Sequence, residues 1–305
     1  KFIFAVNEDA GSEKFPGGGA VSSFSFDKKT GTISAINTQF SGGKHPCYIT
    51  TEASGRWLVA GNYSSGNAGL FPINKNGSIG TMKQLIQHNG TGPDTGRQKS
   101  AHVHSTILSK NQQWLFVPDL GTDKVMVYQF NQEKGILKEA PTPFAAYEPG
   151  SGPRHFELDA ANNFAYLMEE LTGSVVVYKF EQGRLIPKQR INALPADFKG
   201  YPGSADIHIS PDGNFLYCSN RGESNSITIF RINKTDGTLT IAGHQSTLGK
   251  TPRNFNFDLS GNFLLVANQQ TDEIVVFKID KQTGLLTDTG KRIVVPSPVC
   301  LKWIR

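Results

Sequence analysis

The chain has 305 residues, of which 37% are hydrophobic and 10% aromatic, so it can bury a sizeable core and does not read as disordered. Its 31 basic and 26 acidic residues leave a net charge of +5 without any run of Lys or Arg, which argues against a nucleic-acid partner and suits a small anionic one. No apolar run is long enough to span a bilayer, so no membrane partner is expected. Cys47, Cys218 and Cys300 lie far apart with no CxxC, the pattern of buried free thiols rather than of a disulfide framework.

The elements follow one repeat from end to end. KFIFAVN (1–7) alternates as a strand. The Gly-rich FPGGGA (15–20) that follows stands at no strand-to-helix junction, so it reads as a loop and not a phosphate cradle. Five further stretches then share one pattern of turn, apolar strand, polar loop, alternating strand and charged Gly turn. They are EASGRWLVAGNYSSGNAGLFPINKNGSI, SKNQQWLFVPDLGTDKVMVYQFNQEKGIL, DAANNFAYLMEELTGSVVVYKFEQGRL, SPDGNFLYCSNRGESNSITIFRINKTDGTL and DLSGNFLLVANQQTDEIVVFKIDKQTGLL.

An aromatic opens the apolar strand each time, at Phe2, Trp57, Trp114, Phe164, Phe215 and Phe263, with separations of 55, 57, 50, 51 and 48 residues. Repeats of this length, carrying four short strands with a period of two, predict an all-β propeller of four-stranded antiparallel blades, folded as one domain over residues 1–305. In each blade the aromatic opens the second strand. Segments such as RHFEL, ADIHI and RNFNF form the first, beside the central channel. KFIFAVN is then a second strand with no first before it, and SPVCLKWIR a first strand with nothing after it. Either the tail completes the opening blade or a blade's worth of chain precedes Lys1.

The same ruler selects candidate site residues. Ten positions before the aromatics stand Cys47, His104, Arg154, Ala205 and Arg253; six positions after them stand Glu8, Tyr63, Leu120, Glu170, Arg221 and Gln269. The first two strands of a blade run antiparallel, so both sets lie at one end of it. His104, Arg154, Glu170, Arg221 and Arg253 are therefore expected at one mouth of the channel. His102, two residues from His104 in AHVHS, reads as a strand neighbour pointing to a loop or rim, and His45 shares its register. Zinc held by these histidines lacks a carboxylate or thiolate partner, so no metal is expected. His155 and Asp206, nine before their aromatics, are expected to point away from this cluster, with His155 a satisfied second-layer or core residue.

HVHS, GPRH with Arg154, EEL with Glu170, ADIHISPDG, SNR with Arg221 and TPRNFNFDLSGNFLLVAN together resemble the lactonase-type seven-bladed β-propeller family, which includes propeller 6-phosphogluconolactonases and carboxy-cis,cis-muconate cyclases. The resemblance covers the whole chain. It implies seven blades, of which about six are represented here, with the N-terminal one missing. It also implies a cytoplasmic hydrolase of the pentose phosphate route that converts 6-phosphogluconolactone to 6-phosphogluconate, with no cofactor and no obligate protein partner. His104, Glu170, Arg154 and Arg221 match the cyclase family's proposed catalytic residues, and Arg253, His102 and His45 are added as substrate-binding candidates. The alternatives are a cyclase or lactonase for another carboxylated substrate, and a non-catalytic propeller that presents one face to a protein.

Overall fold

The computed structural model describes residues 1–304, which are almost entirely β. Two compact units divide the chain: Lys1–Pro153 with Gln182–Arg184, and Arg154–Glu181 with the residues from Leu185 onward.

The first unit holds three antiparallel sheets in chain order. They are β1 (Phe2–Asn7), β2 (Ala20–Phe26) and β3 (Ile33–Phe40); then β4 (Pro46–Thr51), β5 (Trp57–Asn62), β6 (Asn67–Pro72) and β7 (Gln84–Gln87); then β8 (Ile107–Leu108), β9 (Trp114–Asp119), β10 (Lys124–Asn131) and β11 (Ile136–Ala146). The second unit repeats the four-strand meander three times. Its sheets are β12 (Pro153–Leu158), β13 (Phe164–Glu169), β14 (Ser174–Glu181) and β15 (Arg184–Asn192); β16 (Ser204–Ile209), β17 (Phe215–Asn220), β18 (Ser226–Ile232) and β19 (Leu239–Ser246); and β20 (Pro252–Phe257), β21 (Phe263–Asn268), β22 (Glu273–Ile279) and β23 (Leu286–Val294). A single 3-10 turn, Gln269–Thr271, interrupts the pattern among the described residues.

Trp57, Trp114, Phe164, Phe215 and Phe263 each open the second strand of a four-stranded sheet and Phe2 opens the three-stranded one, and the structure shows why such a position is aromatic. For Phe2, Trp57, Phe164 and Phe215 the ring covers the glycine of the last hairpin turn in the next sheet. A Cβ on Gly135 would lie 2.1 Å from the Trp57 ring, and one on Gly237 would lie 2.4 Å from Phe164. Phe2 covers Gly77 and Phe215 covers Gly284 in the same way. Two residues further along the strand, the Tyr166 hydroxyl donates to the Gly237 carbonyl (3.1 Å) and the Tyr217 hydroxyl to that of Gly284 (2.6 Å). Consecutive sheets are thus pinned where no backbone ladder joins them. Between these pins the inward faces merge into cores such as Phe215, Tyr217, Phe255, Phe257 and Phe277. Fully burying a side chain of this kind stabilises by about 1.5–3 kcal/mol.

Three expectations change. The AHVHS stretch is no regular strand: only Val103 bridges to Asp119, and the first strand of that sheet shrinks to Ile107–Leu108. SPVCLKWIR, whose last residue lies outside the described ones, forms no strand either. Leu301 instead exchanges bonds with the side chains of Asn254 (2.7 Å) and Asn256 (2.8 Å), and the Trp303 indole donates to the Phe257 carbonyl (2.5 Å), which lays the tail along β20. Of the three free thiols only Cys218 is buried; Cys47 is half-buried and Cys300 exposed. The opening sheet has three strands.

Candidate active site

In the second unit, Arg154, Arg253 and Ala205 are each the second residue of a first strand, β12, β20 and β16. Glu170 and Arg221 are the first residues past the ends of β13 and β17. Counting from the aromatics therefore located the same strand ends as the folded chain. Glu170 is the hub of the cluster. Its Oε2 accepts from Arg154 Nε at 2.8 Å and lies 3.0 Å from Arg221 Nη2. Arg154 is only 1% exposed and Glu170 3%. Arg154 Nη1 also donates to the Ala205 carbonyl (2.7 Å), and Arg221 Nε to that of Gly203 (2.7 Å).

Charge is concentrated here beyond what one carboxylate offsets. Burial pushes the Arg154 pKa down, the Arg221 charge adds to this, Glu170 opposes it, and Arg253 lowers it again, so that it settles at about 9. Two guanidiniums thus share the Glu170 carboxylate, with Arg253 close enough to oppose the Arg154 charge. A planar fork of N–H donors in a site shielded from water suits a carboxylate, a phosphate or a developing oxyanion.

Behind Arg154 lies a second polar layer. His155 Nδ1 donates to Asp206 Oδ1 at 2.8 Å, His208 Nε2 meets Asp206 Oδ2 at 3.1 Å, and His208 Nδ1 lies 3.5 Å from Glu157 Oε2. Burial and the Arg154 charge lower His155 to about 4, against the pull of Asp206. Burial also works against a charged His208, but Asp206 and Glu157 outweigh it and raise the group to about 10. His155 is indeed satisfied away from Glu170. Sequence reasoning missed Asp206 as a functional residue, although His155, Asp206 and Asn254 all stand nine before their aromatics and share that register.

The first unit gathers the histidine pair by itself. His102 and His104 both lie against Tyr63: the His102 ring stacks on it with centroids 4.5 Å apart, and the His104 ring meets it edge-on at 5.4 Å. His102 Nδ1 lies 3.0 Å from the Tyr63 carbonyl oxygen, which can only accept, so Nδ1 carries a proton. Asp119 Oδ1 fixes the segment by accepting from the His102 (2.7 Å) and Gly121 (3.0 Å) amides. His104 is buried, with its Nδ1 3.9 Å from Cys47 Sγ. His45 turns instead to the Ser64 hydroxyl at 2.7 Å. Arg97, absent from the sequence-based set, donates to the Tyr63 hydroxyl at 3.2 Å. No group of three or more His, Cys, Asp or Glu side chains could hold a metal ion among the described residues.

The model of the lactonase, 7-bladed beta-propeller family matches residues 1–303. The chain belongs to this family. Each four-stranded sheet is thus a propeller blade. Similar proteins include the 6-phosphogluconolactonase of Formosa agariphila, 38% identical over 97% of this chain and 83% of its own. That of Bacillus subtilis is 33% identical over 96% of this chain and 82% of its own. Among solved structures, the periplasmic gluconolactonase of Pseudomonas aeruginosa superposes with a TM-score of 0.92 at 36% identity, covering 100% of this chain and 85% of that one. No helix among the described residues is long and apolar enough to cross a membrane.

Proposed function

We propose that this protein is a lactone hydrolase whose substrate is 6-phosphogluconolactone, opened by water to 6-phosphogluconate. The observation that carries this reading is the pair Arg154 and Arg221 on the buried Glu170 carboxylate, with the Arg253 charge acting on Arg154. Water adds to the ring carbonyl, charge builds on the carbonyl oxygen, and the ring C–O bond then breaks. A guanidinium aimed at that oxygen stabilises the tetrahedral intermediate, and another grips the anionic end of the substrate. Glu170, already engaged by two arginines, orients them. The attacking water gives up its proton to solvent as it adds, and the freed ring oxygen takes one up. A phosphorylated substrate is consistent with a cytoplasmic enzyme.

A second reading, hydrolysis of unphosphorylated gluconolactone, is favoured by the 36% identity to the Pseudomonas aeruginosa gluconolactonase. The deciding experiment follows freshly generated 6-phosphogluconolactone and glucono-δ-lactone, with spontaneous hydrolysis subtracted, for wild type and Arg154→Ala. Acceleration of the phosphorylated lactone, largely lost in the variant, supports the main reading. Equal rates on both lactones move the assignment to the second, and no acceleration of either removes both.

A further inference from the structure

We propose that Asp206 is a positioning residue for Arg154, acting through a clamp between two first strands and through a His208 imidazolium that keeps the clamp closed. This inference rests on the arginine cluster being the substrate-binding site. β12, β16 and β20 belong to three different sheets, so no ladder of backbone bonds sets one against another. Two adjacent bonds cross from β12 to β16 instead: Arg154 Nη1 to the Ala205 carbonyl (2.7 Å), and His155 Nδ1 to Asp206 Oδ1 (2.8 Å). Asp206 also reaches β20, where Oδ2 accepts from Asn254 Nδ2 (2.5 Å) and the Phe255 amide (3.2 Å). One carboxylate, 2% exposed, therefore ties together the strands that carry Arg154 and Arg253. Such a tie is needed because the guanidiniums repel one another, and their placement depends on what holds the strands behind them.

His208 keeps Asp206 in place. Its two ring nitrogens face two carboxylates, Asp206 through Nε2 and Glu157 through Nδ1, an arrangement that satisfies both only if both nitrogens carry protons. A neutral ring would turn a lone pair on one of the acids and push it away. Other charged or titratable groups around Asp206 are Arg154 and His155 on β12, Cys218 on β17 and Cys300 in the tail. His208 is the one whose two ring nitrogens each face an acid of its own layer, Asp206 and Glu157.

The test uses the full chain as wild type, Asp206→Asn and His208→Gln. KM and kcat are measured on 6-phosphogluconolactone from about pH 6 to about pH 9, while the His208 ring is titrated by NMR. Asp206→Asn should raise KM about tenfold at the alkaline end with a smaller change in kcat, and the gap should narrow toward the acid end as His208 regains its proton. His208→Gln should show a comparable rise in KM at every pH. A merely structural defect would lower activity equally across the range. Wild-type KM in both variants overturns the proposal. If Asp206→Asn does not fold, an unchanged KM in His208→Gln overturns it alone. If the wild type hydrolyses neither lactone, the proposed function fails, and the NMR arm then decides the clamp separately. His208 charged through the neutral range in wild type but not in Asp206→Asn supports it, and a wild-type His208 that titrates near neutrality overturns it.

Discussion

Arg154 and Glu170 meet at 2.8 Å in a nearly dry pocket, and the same glutamate oxygen lies 3.0 Å from Arg221. Removing the carboxylate would take away the acid that the two repelling guanidiniums share. Cutting one partner from a buried pair costs about 3–5 kcal/mol, far more than an exposed ion pair contributes. Glu170→Gln should therefore lower stability by about 3 kcal/mol in denaturant titration and disable hydrolysis. A change below about 1 kcal/mol would mean that the arginines are held apart by something other than this glutamate.

Arg154→Ala should cost more activity than His102→Ala. The guanidinium carries cluster charge, whereas His102 stacks on Tyr63 with its Nδ1 proton given to a backbone carbonyl. We expect a loss of at least about a hundredfold in kcat/KM for the arginine variant, and a smaller loss for the histidine one. Equal losses would overturn the assignment of Arg154 to the substrate-facing cluster.

The blade pattern was legible because the ruler aromatics do the same physical job in successive repeats. Trp57, Phe164 and Phe215 each cover a glycine of the next sheet. Strand ends were legible for the same reason, and register alone placed Arg154, Glu170 and Arg221 together. A further signal stood in plain view five residues after each aromatic, where Asn7, Asn62, Asp119, Glu169, Asn220 and Asn268 are all polar. Asn62, Asn220 and Asn268 donate to the carbonyls of Ser41, Ala193 and Thr247, each just past the last strand of the preceding sheet. Contacts that depend on rotamers rather than register were not legible. The stacking of His102 on Tyr63, the reach of Arg97 to the Tyr63 hydroxyl, and the link from His208 to Asp206 and Glu157 are of this kind. The tail misled for a simpler reason. It has a strand's composition, but asparagine side chains on β20 take its backbone groups.

Stability should pass through a maximum near pH 6.5, between two opposed histidines. His155 is lowered to about 4 in the folded chain, so between about 4 and about 6.5 the unfolded chain binds more protons, and stability falls as the pH drops through that window. His208 is raised to about 10, so from about 6.5 to about 10 the folded chain binds more protons, and stability falls as the pH rises. Denaturant midpoints across this range should show both slopes. His208→Gln should flatten the alkaline one and His155→Gln the acid one, and a variant that alters both limbs alike would contradict the separate origins.

The aromatic–glycine contact makes its own forecast for folding. Gly237 has φ +77° and a Cβ there would lie 2.4 Å from Phe164, whereas Gly31 has φ +72° with nothing within 4 Å. Alanine at either position incurs the left-handed backbone cost of about 1–2 kcal/mol. Only at Gly237 must a buried contact between consecutive sheets also give way, adding about 1–3 kcal/mol. The difference between Gly237→Ala and Gly31→Ala in denaturant titration therefore isolates the contact from the strain. Trimming Phe164 to alanine in the Gly237→Ala background should recover part of that difference, because the added methyl then meets no ring. Two variants of equal stability would show that the aromatic marks the repeat without holding one sheet to the next.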